Sequence, residues 1–404
     1  MQPTVLILTA GQLSRNPRVY KEAAALAGAG FDVTVVRVAN VAEYEAYDRD
    51  LTRDAPFRNV VINHLGGTRG ERLRAFRDRA ATALARKLCP RGVEWPYAFG
   101  PYLSLLEHAR RFRADLTVVH TEAPFCVGVK LLRSGRRVAA DFEDWHSEDL
   151  LPGSRRSRPL ALLRRVERRL LREATVCTTT SQALADALAQ YAEAPPPRVV
   201  RNSFPLQPRP LPRSAHGQPS LFWFSQTIGP GRGLEAFLAG WKRLSAPPRL
   251  VLLGSSAPGY REALRASVPP EARPRLSFLE PVHPQQLPST IALHDVGLAL
   301  EHRTPPSRDL TITNKIFQYA NAGLAILATP TAGQREFLDA APGAGALIDL
   351  ESPARLADDL NSVLNDIPRL ASMGLRARQA MEASLSWEIE QRSLCAALRA
   401  GVGA

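Results

Sequence analysis

Lysine is nearly missing from this 404-residue chain: Lys21, Lys87, Lys130, Lys242 and Lys315 are the only ones, and arginine supplies the rest of the 52 basic residues. With 39 acidic residues the formal charge is +13. Base composition accounts for an arginine bias as readily as function does, and no nucleic-acid module is recognisable, so no nucleic-acid partner is expected. Cysteine is scarce as well. Cys89, Cys126, Cys177 and Cys395 lie far apart, form no C-x-x-C pair and sit mostly in apolar stretches where a reduced thiol packs as a small hydrophobe. A cytoplasmic protein fits that pattern. No window reaches the roughly 18 uncharged residues of a spanning helix, and Met1–Ala10 lacks a basic region followed by a long apolar run, so neither a membrane span nor a secretory signal is expected. The dinucleotide fingerprint G-x-G-x-x-G is also absent.

What is present is ordinary globular composition, 45% hydrophobic and 23% charged, at a length suited to two or three domains. Thr4–Thr9, Gly11, Asn16–Ala29 and Phe31–Val38 read as strand, loop, helix, strand. After a basic, irregular stretch, further strands are expected at Leu116–His120, Arg137–Asp141, Val176–Thr180 and Arg198–Arg201, and, beyond a proline-rich segment, at Leu221–Ser225, Arg249–Leu253, Leu276–Leu279, Val296–Leu300, Ala325–Ala328 and Ala346–Leu350. Short apolar strands alternating with helices imply parallel sheets covered on both faces, an α/β class. The domains expected are 1–204, a linker at 205–219, 220–380, and a helix at 381–404 that packs back on the first domain. The tail from Ser352 should be helical, with interruptions near Pro368 and Leu385.

Three loops at strand ends carry candidate chemistry. The first runs from Thr9 to Arg18, with Gly11 permitting close backbone approach and Arg15 and Arg18 adding charge at a helix start. The second, Ser225-Gln-Thr-Ile-Gly-Pro-Gly-Arg-Gly-Leu-Glu235, places Gly229, Gly231, Gly233 and Arg232 between a strand and a helix. In the third, Thr313 or Asn314 can cap a helix whose first turn carries Lys315, a cation misplaced by about 0.3–1 kcal/mol unless an anion meets it there. A bound diphosphate would offset that. His120 ends one strand, and Asp141-Phe-Glu-Asp-Trp-His-Ser-Glu-Asp149 ends the next, where Asp141 and Asp144 can bind hydroxyls and Trp145 can stack on a sugar. Asp144, His146 and Glu148 match no defined metal spacing, and Asp48-Arg-Asp50 reads as a coincidental acidic pair, so no metal site is expected. The stretch Arg155–Arg172 alternates leucines and arginines, suiting either a solvated face or anionic headgroups.

Ser14-Arg-Asn-Pro-Arg-Val19, Val199-Val-Arg-Asn-Ser-Phe204, the Ser225–Glu235 loop, and Asn314-Lys-Ile-Phe-Gln-Tyr-Ala-Asn-Ala-Gly-Leu-Ala-Ile326 with Gly-Gln-Arg-Glu336 together resemble the family 4-like glycosyltransferases of the GT-B type. The resemblance implies two Rossmann-like parallel-sheet domains facing a central cleft and a C-terminal helical tail. It implies retaining transfer of a sugar, hexosyltransferase-like and metal-independent, from a nucleoside-diphosphate sugar to a glycan, lipid-linked or small-molecule acceptor, in polysaccharide biosynthesis. No cofactor beyond that co-substrate is implied. The location expected from the cysteines is cytoplasmic, and the Arg155–Arg172 stretch admits peripheral contact at the inner membrane face. The catalytic set is His120, Arg232 and Lys315; the donor set is Gly11, Gly229, Gly231, Arg232, Glu301, Asn314, Lys315 and Gln318; the acceptor set is Arg15, Asp141, Asp144 and Trp145. One departure stands out. Where many relatives carry two glutamates eight positions apart, this chain has Leu310 and Gln318, with Glu301 and Asp309 as substitutes for the first. A sugar-nucleotide 2-epimerase of the same fold, or a non-enzymatic basic protein binding nucleic acid or lipid, is the alternative.

Overall fold

The computed structural model describes residues 2–150, 152–208 and 218–403. It divides into two compact units: the residues up to Val200 with those from Gln391, and Arg201–Glu390.

Unit 1 carries β1 (Thr4–Leu8), β2 (Asp32–Ala39), β3 (Arg58–Asn63), β4 (Leu116–His120), β5 (Val138–Phe142), β6 (Val176–Thr179) and β7 (Arg198–Val199) in the order β3-β2-β1-β4-β5-β6-β7. Every pairing is parallel. The connecting helices are α1 (Pro17–Gly28), α2 (Ala42–Thr52), α3 (Arg69–Leu88), α4 (Tyr102–Arg111), α5 (Glu122–Leu132), α6 (Leu160–Glu173) and α7 (Gln182–Ala192). The central strands β4 and β5 are buried along their whole length, as a sheet covered on both faces requires. The basic stretch with no expected regular structure in fact holds α2, β3, α3 and α4. Its strand is an edge with Arg58, Asn59 and Asn63 among its six residues, so it lacks the apolar run that marks the inner strands.

Unit 2 carries β8 (Leu221–Ile228), β9 (Leu250–Ser256), β10 (Leu276–Leu279), β11 (Val296–Ala299), β12 (Ala325–Ala328) and β13 (Gly345–Leu347), parallel in the order β10-β9-β8-β11-β12-β13. Its helices are α8 (Leu234–Trp241), α9 (Tyr260–Ala266), α10 (Leu287–Ile291), α11 (Pro306–Leu310), α12 (Asn314–Asn321), α13 (Ala332–Ala340), α14 (Pro353–Leu364) and α15 (Ile367–Ala380), and α16 (Trp387–Gly403) follows. Side chains alternate between two cores. Trp223, Leu252, Leu298 and Leu327 face one side of the sheet, Phe222, Phe224, Val251 and Ile326 the other. Gly297 is required on the second side, because a Cβ there would stand 2.2 Å from the Tyr319 ring, whose hydroxyl donates to the Leu298 carbonyl at 3.1 Å. Helix α12 thereby lies directly on β11.

Three boundaries differ from expectation. Unit 2 starts at Arg201 rather than beyond 219, since Phe204 and Leu206 pack on its core, and it runs to Glu390 because Met381 and Leu385 do the same. Pro368 opens α15 from its first turn instead of interrupting a helix, which is where a missing N–H costs nothing. Residues 209–217 of the expected linker lie outside the described residues. From Gln391 onward α16 belongs to unit 1: Arg399 donates to the Ala29 carbonyl, stacks over Phe31 at 4.9 Å, and Arg137 reaches the Val402 carbonyl at 2.5 Å. Among the described residues, no helix is long and apolar enough to cross a membrane.

Candidate functional site

In open parallel sheets, ligands bind beyond the carboxyl ends of the strands where the order reverses. Both units reverse at one place, between β1 and β4 in unit 1 and between β8 and β11 in unit 2. The candidate residues gather at those two places.

At the unit 2 reversal, β8 leads into the turn 229–233 and then α8. Gly233 has φ +76°, and a Cβ would meet the Leu300 carbonyl at 2.9 Å, so only glycine lets this turn close against the end of β11. Gly231 also has positive φ, +72°. Gly229 does not need glycine's backbone freedom; a Cβ there would touch only Thr227 at 3.7 Å. Beyond β11 stands Glu301. Lys315, in the first turn of α12, donates from Nζ to Glu301 Oε1 at 2.6 Å and to Thr313 Oγ1 at 3.4 Å, and the paired side chains are only 10% and 15% exposed. Burial alone would raise the Glu301 carboxyl, but the charge and hydrogen bond of Lys315, with Arg232 and Arg308 adding their charge, hold it below the ordinary range. Arg308 is also joined to the glycine turn through the Gly231 carbonyl at 3.4 Å. Three cations therefore surround one carboxylate at a glycine turn.

That arrangement amends the sequence expectation in one respect. The anion that meets Lys315 at the helix start is Glu301, from this same chain, and the Thr313 side chain sits at the capping position without making a cap bond. Asn314 and Gln318 lie half-buried on the same helix, four positions apart and so on one face. Gln318 lines a pocket of about 310 Å³ together with Phe204, Pro288, Ile291 and Asn321. Asp309 is engaged structurally, accepting from the Ala332 N–H at 3.2 Å. Gln334 of the Gly-Gln-Arg-Glu motif turns inward to Thr329 at 2.7 Å rather than outward. Arg308 opens the stretch that leads to Lys315, and sequence alone assigns it no role because that stretch has no periodicity to orient its side chain.

At the unit 1 reversal, the expected residues converge on a buried network. His120 Nε2 lies 2.8 Å from Glu22 Oε2, and Arg18 holds Asp141 Oδ2 from Nε at 2.9 Å and from Nη2 at 2.7 Å. Thr178 also donates to Asp141 at 2.9 Å, and Arg18 reaches the Val200 carbonyl at 2.8 Å. His120, Asp141, Glu22 and Arg18 are each no more than 1% exposed. Burial would raise Asp141, yet Arg18 and His120 hold it at about 2; burial, with Asp141 beside it, pushes Glu22 up to about 7. Burial disfavours a charged imidazole, but Glu22 outweighs it and raises His120. Burial, helped by Arg18, lowers Lys21 to about 7.

Two expectations change here. Arg18 is not a free cation for a ligand, because its guanidinium is enclosed by carboxylates. Asp141 does not offer its carboxylate to an acceptor hydroxyl, because Arg18 and Thr178 already occupy Oδ2 and the side chain is enclosed. Glu22, His120 and Asp141 each place a ligand atom within 4.8 Å of the others, a spacing that would suit a divalent ion. Arg18 already stands there as the compensating cation. Glu22 was not legible from sequence, being one more acidic residue in a helix, ninety-eight positions from its histidine.

The chain leaves His120 through a strained residue. Thr121 has φ +70° and ψ 172°, a conformation that costs a β-branched residue about 1–3 kcal/mol. Gly11, across the reversal at the end of β1, is half-buried, and a Cβ there would meet nothing within 4 Å. The loop after Gly11 is anchored by Asp48, whose carboxylate accepts from the Leu13 and Ser14 N–H groups at 2.8 and 2.7 Å and pairs with Arg37 at 3.1 Å. Asp48, on α2, is thus a structural anchor of that loop. Arg15 is exposed and lies over the Tyr44 ring at 5.1 Å. Trp145 packs on Tyr191 at 4.9 Å, and Asp144 beside it is half-buried.

Residues 16–204 match the family model described as glycosyl transferase 4-like domain, and residues 218–366 the model described as glycosyl transferases group 1. Comparison with curated proteins finds no match in sequence. Among solved structures, sucrose-phosphate synthase from Thermosynechococcus elongatus aligns with TM-score 0.71 and 14% identity over 98% of each chain. The Anabaena protein HepE in complex with UDP-glucose aligns with TM-score 0.68 and 15% identity, over 98% of this chain and 99% of that one. S. aureus TarM, in a mutant form with fondaparinux, alpha-GlcNAc-glycerol and UDP, gives TM-score 0.71 at 8% identity, over 99% of this chain and 100% of that one. At these identities the likeness establishes the fold.

Proposed function

The chain belongs to the family 4-like glycosyltransferases with the GT-B fold, and on that footing we propose that it moves a sugar from a nucleoside-diphosphate donor to an acceptor hydroxyl with retention of configuration and without a metal. The observation that carries the donor class is the charge pattern at the unit 2 reversal. Three cations, Arg232, Arg308 and Lys315, face one carboxylate, Glu301, leaving two positive charges beside a glycine turn and the first turn of α12. A diphosphate complements that excess. Arg232 and Arg308 take its oxygens through planar donor forks, and Lys315, held by Glu301, adds field at the helix start. Positive charge fixed in advance at a leaving diphosphate stabilises the transition state without reorganisation, which is why no metal is needed. Gly229 and Gly231 keep backbone close to the phosphate, Asn314 and Gln318 hydrogen-bond donor hydroxyls, and the pocket beside Gln318 receives an apolar part of the donor.

Unit 1 holds the acceptor through Arg15, Asp144 and Trp145, in glycan or polysaccharide assembly in the cytoplasm. His120 and Asp141 act from beneath, through the network that fixes the strained turn at Thr121. That HepE was crystallised with UDP-glucose, and TarM with UDP and a GlcNAc-bearing glycerol, makes uridine nucleotides the first donors to try. The test is release of nucleoside diphosphate by the full chain from a panel of nucleotide sugars, with and without acceptor extract. Acceptor-dependent release, weakened about 10- to 100-fold in donor affinity by Arg232→Ala, is expected, the loss of one charge-assisted contact being worth about 1.5–3 kcal/mol. No release with any donor would refute the proposal, and conversion of the donor sugar without acceptor would point to a 2-epimerase instead.

A further inference from the structure

Large exposed hydrophobic side chains are not spread evenly over this protein. Among the described residues, six of the eight, Val61, Leu65, Leu73, Phe76, Leu84 and Trp95, fall between positions 61 and 95. Three of them stand on α3, where Leu73 is 68% exposed, Phe76 70% and Leu84 51%. Helix α3 is held to unit 1 by its other side: Ala75, Asp78 and Ala85 are buried, Asp78 pairs with His64 at 3.2 Å, and Arg86 donates to the Ala98 carbonyl at 3.0 Å. On the outward side, Arg69, Leu73, Phe76, Ala80, Leu84 and Lys87 succeed one another at spacings of four, three, four, four and three, a single stripe on a helix of 3.6 residues per turn. The stripe is apolar in the middle and cationic at both ends.

The charge around it says what covers it. Within α3 stand Arg69, Arg72, Arg74, Arg77, Arg79, Arg86 and Lys87, against Glu71 and Asp78. Neither acid lies on the stripe: Asp78 is buried, and Glu71 closes a capping box with Thr68. Glu107, on α4, is engaged with Arg77. A second copy docking face to face would oppose two such basic helices, whereas a surface that is anionic outside and apolar just below satisfies both parts of the stripe, with long cationic stems reaching back to the charged layer. We propose that α3 lies in the plane of an anionic phospholipid surface, inserting Leu73, Phe76 and Leu84, and that the protein docks there. Helix α6, which the sequence suggested for this role, is poorly placed to serve it. Its apolar residues Leu163, Val166, Leu170 and Leu171 face inward, and Arg164, Arg165 and Arg169 are paired with Glu148, Glu94 and Glu173. Docking by α3 goes beyond the donor chemistry and stands or falls independently of it.

The experiment is flotation of the full chain with vesicles of phosphatidylcholine alone or mixed with phosphatidylglycerol. The wild type should float with the anionic vesicles and not with the neutral ones, and binding should weaken with salt. A Leu73→Ser/Phe76→Ser/Leu84→Ser variant and an Arg69→Glu/Lys87→Glu variant should each lose about tenfold or more in vesicle binding, while keeping the wild-type unfolding profile and any diphosphate release in solution. Equal flotation of wild type and triple-serine variant would overturn the proposal, as would no flotation of the wild type. A concentration-dependent dimer abolished by Phe76→Ser would assign the face to a second copy, which also overturns it.

Discussion

Changing the Lys315–Glu301 pair one partner at a time and then together distinguishes field from contact in donor binding. In the wild type, three cations and one carboxylate leave two positive charges near the site. Glu301→Gln raises that excess by one while its amide oxygen can still accept from Nζ; Lys315→Met lowers it by one; the double variant restores it. A unit charge about 6 Å from a phosphate, at an effective dielectric of about 20, contributes about 3 kcal/mol, and mobile ions in an accessible site reduce this to about 1–2 kcal/mol. Isothermal titration with a nucleoside diphosphate should therefore find Glu301→Gln about 5- to 30-fold tighter than wild type and Lys315→Met weaker by a similar factor, with the double variant close to wild type. These differences should shrink with added salt. If the double variant binds as poorly as Lys315→Met, the ammonium touches the phosphate directly and counting charge is the wrong account. If Glu301→Gln binds more weakly than wild type, Glu301 itself takes part in holding the nucleotide.

Thr121→Gly should relieve backbone strain of about 1–3 kcal/mol against about 0.5–1 kcal/mol of added unfolded-state freedom, so unit 1 should gain about 1 kcal/mol while transfer slows; loss of stability, measured as chemical denaturation of the full chain, would show that the turn is not strained. The raised Glu22 gives a pH dependence of definite sign. Its carboxyl keeps its proton in the folded protein up to about 7 but loses it near 4.5 when unfolded, so the native state binds more protons across that window and stability falls as pH rises through it; above about 7 the lowered Lys21 reverses the slope, because the unfolded state then binds the extra proton. Glu167, pushed up to about 7 by burial, acts in the same direction, and His146, lowered by burial to about 4, opposes them. Native-state amide exchange of β1, β4 and β5 should report this slope, and Glu22→Gln should flatten it; an unchanged slope in that variant would place the titration elsewhere.

Inner strands were easy to read from sequence and edges were not, for a physical reason. β12 is a continuous apolar segment and β4 is buried at every position because neighbours cover both of their faces, whereas β3, paired on one side, keeps Arg58, Asn59 and Asn63 and resembles a loop. The glycine turn before α8 was legible because Gly231 and Gly233 meet a local backbone demand. Lys315 was conspicuous as a lysine in an arginine-rich chain. Its partner was harder to assign: Glu301 and Lys315 meet only because Gly297 lets α12 settle on β11. Asp48 and Glu22 were illegible for the same reason, since each derives its meaning from a residue distant in sequence that the sheet order brings alongside. Exposure is likewise invisible in sequence. The leucines and arginines of α3 and α6 read alike, yet α6 turns its leucines inward and α3 turns Leu73, Phe76 and Leu84 outward.

The segment from Gln391 bears on how the molecule is made. Unit 2 is one uninterrupted stretch of chain, so all of its residues have been synthesised while part of unit 1 is still to come. Most of unit 1 precedes unit 2 in the chain, yet unit 1 cannot be completed until Arg399 reaches Ala29 and Phe31. Loss of the stretch from Gln391 would therefore injure unit 1, most of which precedes unit 2 in the chain, and leave unit 2 whole.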